Sequence, residues 1–545
     1  MTDPALDQPA LEEYDDISED ARFPHANGEL RFSADRDSDL FDLHWHWHGR
    51  AYARTIRIRI DAPIYTSSGI SSEQLDDVLP LALQLFPGYQ ETIYGVEGVI
   101  VSKRIFAPLD SYYDRSLLWM MEAQAEGDRL IQIRVEIDWG EPLVQRMVDG
   151  LLVAQTQPGE ASGAHKQRNA ESTRVFGAAE GRPDLVDFPS DSQARLVYHV
   201  LVAGQVDLPL ILALSDVGEQ VAWNGFLVQR DISRAFKRSR SRWHDITHRG
   251  RLWSPDAAAN RSVQDAKIAA VQTIARSRAG FAPADSNITA LPGLIDLFDS
   301  FSPEQSRALL DTPRRVAERT GGALPLKLPT LPRQPVDAPD SVLPSTSAAY
   351  LSALQAHHRR HPNLDWLTTH DKAIAGCANE LLNVLETCRA LPAPDSLDAG
   401  VLEDACRALT AASALACHIN PDGDTAPWVH AAETLAANVG QRPQNVHPTV
   451  WDRLGITADR GHVTLQRKWP SDWDWWALMN LPYSAQEEND EISLLWDGKT
   501  LHTTRPISFD GPSEIQTQVR AFGSDENSFD LRFRLGSELF IPAID

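Results

Sequence analysis

The segment WPSDWDWW at 469–476 packs four tryptophans and two carboxylates into eight positions. Flat apolar rings beside acids are the materials of a glycoside-cleaving site. Inverting hydrolysis needs two carboxyl groups roughly 6.5–9.5 Å apart, one protonated for the leaving group and one ionised to activate water. On a strand, Asp472 and Asp474 point the same way about 7 Å apart, side by side rather than across a substrate. Each therefore needs a partner from elsewhere, and Glu380 and Asp371 in the helical region are the candidates. Alternation puts Trp469, Trp473 and Trp475 on one face and Trp476 with the two aspartates on the other. Trp476 is then the ring expected to border a cleft and stack on sugar, while Trp473 and Trp475 pack inward. The competing reading is a sheet–helix interface filled by Trp473 and Trp475, with both aspartates facing water.

A second group lies in NLDWLTTHDKA at 363–373, where Asp365, Trp366 and His370 stand with Asp371 at a helix start. All three are candidate substrate contacts, although helix capping by Asp365 would explain part of the pattern without function. HWHWH at 44–48 sets His44, His46 and His48 on one face of a strand, a spacing at which two imidazoles can share a metal. No cysteine or dense carboxylate cluster accompanies them, so the expectation is no metal and no cofactor.

The elements that must position these groups are legible from hydrophobic period. TIRIRIDAP alternates, with Ile56, Ile58 and Ile60 inward and Arg57 and Arg59 outward, and similar short runs recur to about residue 230. Many strands with no intervening helical period predict antiparallel sheets packed face to face, with 159–187 as a long insertion loop. RDISRAFKRSRSRWHDITHRGR at 230–251 holds eight bases and two acids, which reads as a solvated face, with an anion site as the alternative. Near 252 the period becomes helical. Asp256 is expected to cap a helix that Gly280 stops, and Ser302, Pro303 and Gln305 to open the next with a capping box. Further helices are expected near 346–359, 364–390, 398–419 and 425–439. From 462 the period returns to two.

Four cysteines fall within the helices, at 377, 388, 406 and 417. Each spacing of eleven is about three turns, and both cross pairs centre on residue 397, so an antiparallel hairpin would place Cys388 by Cys406 and Cys377 by Cys417. Two disulfides are conceivable, but the N-terminus has no secretory pattern, and buried free thiols are the expectation.

The order of these regions resembles the six-hairpin carbohydrate-active superfamily, which includes glycogen-debranching-like and cellobiose-phosphorylase-like enzymes. The resemblance rests on YGVEGVIVSKRIFAPLDSYYDRSLLWMMEAQ at 94–124, followed by LIQIRVEIDWGEPL. It implies a multidomain β plus α chain: an acidic tail over 1–28, an N-terminal antiparallel β-supersandwich over 29–251, a helical-hairpin domain over 252–445 and a small C-terminal β domain over 446–545. A full α/α toroid needs six hairpins. The span 256–440 accommodates seven or eight average helices, so the toroid is expected to be truncated. The Trp- and Asp-rich barrel motif that places the general acid in such hydrolases is absent, and no catalytic residue carries over.

With 51 Lys and Arg against 76 Asp and Glu, the net charge of -25 repels phosphate backbones and anionic lipid, so neither nucleic acid nor membrane is expected as a partner. The first twenty residues hold eight acids and no base. A cytoplasmic, oligosaccharide-directed protein is expected, either an enzyme hydrolysing a glucan or oligosaccharide by acid–base chemistry, or a noncatalytic carbohydrate-binding or scaffold protein with the same architecture.

Overall fold

The computed structural model describes residues 10–12, 18, 20–45, 50–61, 64–66, 69–71, 80–109, 115–156, 172–249, 251–253, 256–277, 279–329, 344–389, 399–439 and eight strand segments between 456 and 542. Of those last segments only the backbone is described. The chain divides into two compact units, Met1–His244 and Asp245–Asp545.

The first unit is built from strands β1 (Ala10–Glu12), β2 (Phe23–Ala26), β3 (Leu30–Ala34), β4 (Leu40–Trp45), β5 (Arg50–Asp61), a small hairpin β6 (Ile64–Thr66) and β7 (Gly69–Ser71), then β8 (Pro80–Phe86), β9 (Tyr89–Val96) and β10 (Val99–Phe106). There follow β11 (Ser116–Asp138), β12 (Val144–Val148), β13 (Leu151–Gln155), β14 (Thr173–Ala178), β15 (Leu185–Ser190) and β16 (Gln193–Ser215). Two 23-residue strands, β11 and β16, explain how one antiparallel sheet becomes two layers. Their mutual pairing is interrupted between Gln124 and Asp128. On one side of that break β11 pairs with β10 and β16 with β14, and on the other β11 pairs with β5 and β16 with β15. The layers share a core in which Trp45, Ile56, Ile58 and Val135 meet Val101, Trp119, Phe176 and Leu212. The alternation expected of β5 is observed, since Ile56, Ile58 and Ile60 are buried and Arg57 is exposed.

The expected loop over 159–187 is corrected. Within it, β14 is wholly buried as a central strand between β13 and β16, and β15 runs along β16 as an exposed edge. A strand covered on both faces need not alternate, so TRVFGA carries no period-two signal. The helical period also begins earlier than 252, with α1 (Glu219–Val228) and α2 (Ile232–His248). Phe226, Ile232 and Ala235 from these helices pack with Tyr89, Phe106, Val153 and Ile211 of the β10–β14 layer. The basic run is the other face of α2, where Arg234, Lys237, Arg238, Arg240 and Arg242 are exposed.

In the second unit, β17 (Arg251–Trp253) and α3 (Ala257–Gln272) come first. Asp256 caps α3 as expected, accepting from Ala258 and Ala259 N at 2.9 and 3.0 Å. Asp256→Ala should cost about 1 kcal/mol of α3 stability in urea unfolding, and no loss would show that the cap is not needed. Gly280 does not stop this helix. The chain makes a hairpin of β18 (Ile274–Ser277) and β19 (Gly280–Pro283), in which Gly280 has a φ of 132° that disfavours any side chain. After a 3₁₀ turn at Ile288–Ala290 come α4 (Leu291–Phe298), α5 (Pro303–Thr320), α6 (Pro344–Arg360), α7 (Leu364–Thr368), α8 (Asp371–Arg389), α9 (Ala399–Ile419) and α10 (Ala426–Val439). Eight α-helices over 257–439 among the described residues agree with the seven or eight expected. The capping box at α5 is not formed, because Ser302 Oγ turns to Glu304 Oε1 at 3.0 Å and makes no bond to the helix backbone.

Helix α9 packs against α6, α8 and α10. No disulfide joins the described cysteines. Cys377 is buried, which pushes its thiol up to about 12, and Cys406 donates to the Ala432 carbonyl at 3.4 Å. Cys417 departs from the expected burial and lies exposed beside Thr425. The side chain of Cys388 lies outside the described residues.

The C-terminal strands are β20 (Ile456–Asp459), β21 (His462–Gln466), β22 (Trp475–Met479), β23 (Leu494–Trp496), β24 (Thr500–Thr503), β25 (Ile515–Gln518), β26 (Arg532–Leu535) and β27 (Glu538–Pro542). They form two antiparallel sheets, and in one of them β22 pairs with β17 and β27.

Candidate functional site

The helices of the second unit converge on a buried polar network at Asp299, the residue that ends α4. His357 Nδ1 donates to Asp299 Oδ1 at 2.7 Å. Arg360 reaches Asp299 Oδ2 at 3.2 Å and Asp296 Oδ1 at 2.5 Å. His361 Nε2 donates to the Asp299 carbonyl at 3.0 Å. From α5, Arg307 Nε donates to His357 Nε2 at 3.3 Å, which leaves the imidazole proton on Nδ1. Helical spacing aligns these groups over about three turns: His357 and His361 are four residues apart, and Tyr350 lies two turns before His357 on the same face of α6.

Burial alone would raise the Asp299 carboxyl, but His357, then His361 and Arg360, outweigh it and hold the group well below the usual carboxylate range. An ionised, fully bonded carboxylate cannot serve as a general acid. It ties the end of α4 to α6.

Trp366 and His370, both expected substrate contacts, are brought together, with ring centroids 4.3 Å apart. Trp366 also meets the edge of His357 at 5.1 Å, and the Arg307 guanidinium stands 5.9 Å from its centroid. The Tyr350 hydroxyl donates to His370 Nδ1 at 2.8 Å. His370 Nε2 is 3.8 Å from Asp311 Oδ1, beyond hydrogen-bond reach. Burial, with Arg314 and His357 nearby, lowers His370 to about 3. At neutral pH it is an uncharged support for Trp366 rather than a proton donor.

Asp365 is exposed and does not cap α7; Asn363 does, accepting from Trp366 N at 2.9 Å. Asp371 is exposed in the first turn of α8, and Glu380 is half-buried beside Asn383. Nine residues of helix are two and a half turns, so Asp371 and Glu380 project from opposite sides of α8, about 13 Å apart along its axis. They are therefore alternatives to each other as a partner for a third carboxylate. Trp476 lies in β22 opposite Ile541, with neighbouring Trp475 opposite Pro542. Asp472, Trp473 and Asp474 lie outside the described residues, as do His46 and His48.

Sequence reasoning missed Asp299, His357, Arg360, His361 and Arg307. The available signal was HHRRH at 357–361, with histidines one turn apart and two arginines at a helix end.

No protein-family model and no curated protein sequence matches this chain. Among solved structures, a protein of the human microbiome named a kojibiose phosphorylase matches with a TM-score of 0.52 and 8% identity, over 98% of this chain and 100% of its own. A bacterial glucoamylase, solved with acarbose, matches with a TM-score of 0.50 and 8% identity, over 84% of this chain and 70% of its own. At this identity the likeness is one of fold: the chain shares the overall architecture of these two structures.

Proposed function

We propose that this chain is a carbohydrate-active enzyme that cleaves a glycosidic bond of an oligosaccharide by acid–base chemistry. The observation that carries the reading is the fold match, which spans 98% of this chain and the whole of a structure named a kojibiose phosphorylase. Asp474 or Asp472 would supply one carboxyl group and Asp371 or Glu380 the other. Because α8 turns these last two apart, only one can serve, and Asp371 has the aromatic pair Trp366 and His370 immediately before it. Trp476 and Trp366 would offer ring faces to the sugar and Asp365 a hydroxyl acceptor.

The test is a panel of α- and β-linked gluco- and manno-oligosaccharides, incubated with and without inorganic phosphate and read for reducing sugar and sugar 1-phosphate. Turnover is expected on at least one substrate. Asp474→Asn and Asp371→Asn should each lower it by roughly 10²-fold or more with unchanged circular dichroism. Parental activity in Asp474→Asn would remove that residue from the site.

A noncatalytic carbohydrate-binding protein is the second reading, favoured by the buried carboxylate of Asp299, which is held ionised and fully bonded and so cannot act as a general acid. No turnover across the panel would select it.

A further inference from the structure

The two layers of the sandwich unit present different outer faces. Helices α1 and α2 cover that of the β10–β14 layer with apolar contacts. On the other layer Gln132 and Arg134 are buried, while the outward residues nearer the end of β11 are polar or charged and half-buried or exposed. Arg57 on β5, Glu136 on β11 and Arg195 on β16 stand in register across three strands. Thr55, Asp138 and Gln193 form the next such row. These rows line a cavity of about 670 Å³, together with Arg54 and with Phe41 and Asp42 from β4. That volume lies within the range of ligand sites, about 300–1,000 Å³.

We infer that this groove is a second, noncatalytic site that binds a neutral oligosaccharide chain, an inference that rests on the carbohydrate reading above. Three guanidinium groups (Arg54, Arg57, Arg195) are balanced by three carboxylates (Asp42, Glu136, Asp138). A phosphate or uronate site would need a surplus of positive charge. Donors and acceptors side by side suit paired hydroxyl groups, each of which both gives and accepts a hydrogen bond. Arg195 is engaged by Glu136 at 3.3 Å and Arg54 by Asp138 at 4.0 Å. The exposed side chains of Arg57 and Asp42 have no hydrogen bond or ion pair among the described residues, so both are free for ligand. Asp42 has a φ of 52° and is passed over in the pairing of β4 with β5, where Phe41 faces Thr55 and Leu43 faces Ala53. The register of the two strands is kept across Asp42 and shifts only between Leu43 and His44, so the left-handed backbone at Asp42 is local, and such non-glycine conformations are concentrated at binding sites.

The full chain is tested on a glycan array of neutral and of uronic-acid-bearing or sulfated oligosaccharides, and the strongest neutral ligand is then titrated by calorimetry. Neutral glycans should bind in preference to anionic ones. Arg57→Ala and Asp42→Asn should each weaken binding at least tenfold, leaving turnover on the oligosaccharide panel unchanged. Affinity unchanged in both variants, preference for anionic glycans, or no neutral glycan bound would each overturn the inference. Turnover with affinity indifferent to both substitutions sinks the groove alone. Groove-dependent binding without turnover sinks the enzyme reading alone. Both side chains are exposed, and Asn tolerates a positive φ as Asp does, so a folded variant is expected in each case.

Discussion

Asp299→Ala is expected to destabilise the helical unit by roughly 3–5 kcal/mol, the cost of breaking a buried ion pair by removing one partner. Asp299 and His357 are both completely buried, and the carboxylate is the common acceptor for His357 and Arg360. Truncation leaves the His357 N–H and part of the Arg360 guanidinium without their acceptor, while Asp296 keeps hold of the latter. Asp299→Asn retains an oxygen for His357 and loses only the charge, so about 1–3 kcal/mol is expected. Urea unfolding followed by far-ultraviolet circular dichroism reports the helices and ranks the variants. A loss below about 1 kcal/mol in Asp299→Ala would mean that apolar contacts among α4, α5 and α6 hold these helices and that the network is dispensable.

How far such a network could be read from sequence depends on the range of the signal. The alternation of β5 is local, and Ile56, Ile58 and Ile60 are buried as their spacing requires. β14 is legible only once its neighbours are known, because a strand buried on both faces has no alternation and TRVFGA sits among polar residues. Gly280 shows the same limit in another form: a glycine after a helical pattern suits a helix end and a hairpin equally, and the choice is made by pairing of Ile274–Ser277 with Gly280–Pro283. For the candidate site, proximity in sequence was readable and proximity in space was not. Trp366 and His370 lie one turn apart and do meet. Asp299 and His357 are 58 residues apart, and nothing in either segment names the other. That Asp371 and Glu380, the alternative partners for the aspartates of 469–476, leave opposite sides of one helix could be read by counting turns.

Lowering the pH from 7 to 4.5 should cost the helical unit roughly 3–5 kcal/mol, with His361 and His370 as the cause. Burial lowers His361 from 6.5 to about 4, with Asp299 partly opposing, and lowers His370 from 6.5 to about 3. In the unfolded chain both imidazoles take up protons below about 6.5, whereas in the folded chain they remain neutral until pH 4 and 3 are approached. The unfolded state therefore binds more protons throughout that window, and stability falls as the pH falls. Each group would lose about 2–3 kcal/mol at pH 4.5 from 1.36 kcal/mol per unit, and partial relaxation around the charged rings reduces the sum. Asp299 acts in the same direction lower down, since its depressed carboxyl contributes stability above the unfolded carboxylate range that is lost on further acidification. Urea midpoints of the helical transition at several pH values give the slope. His361→Gln and His370→Gln, neither of which titrates, should each flatten it, and the double variant should remove most of it between pH 6.5 and 4.5 even though both are less stable at pH 7. A slope unchanged in the double variant would assign the acid sensitivity to other groups and show that the two imidazoles become charged in the folded state as readily as in water.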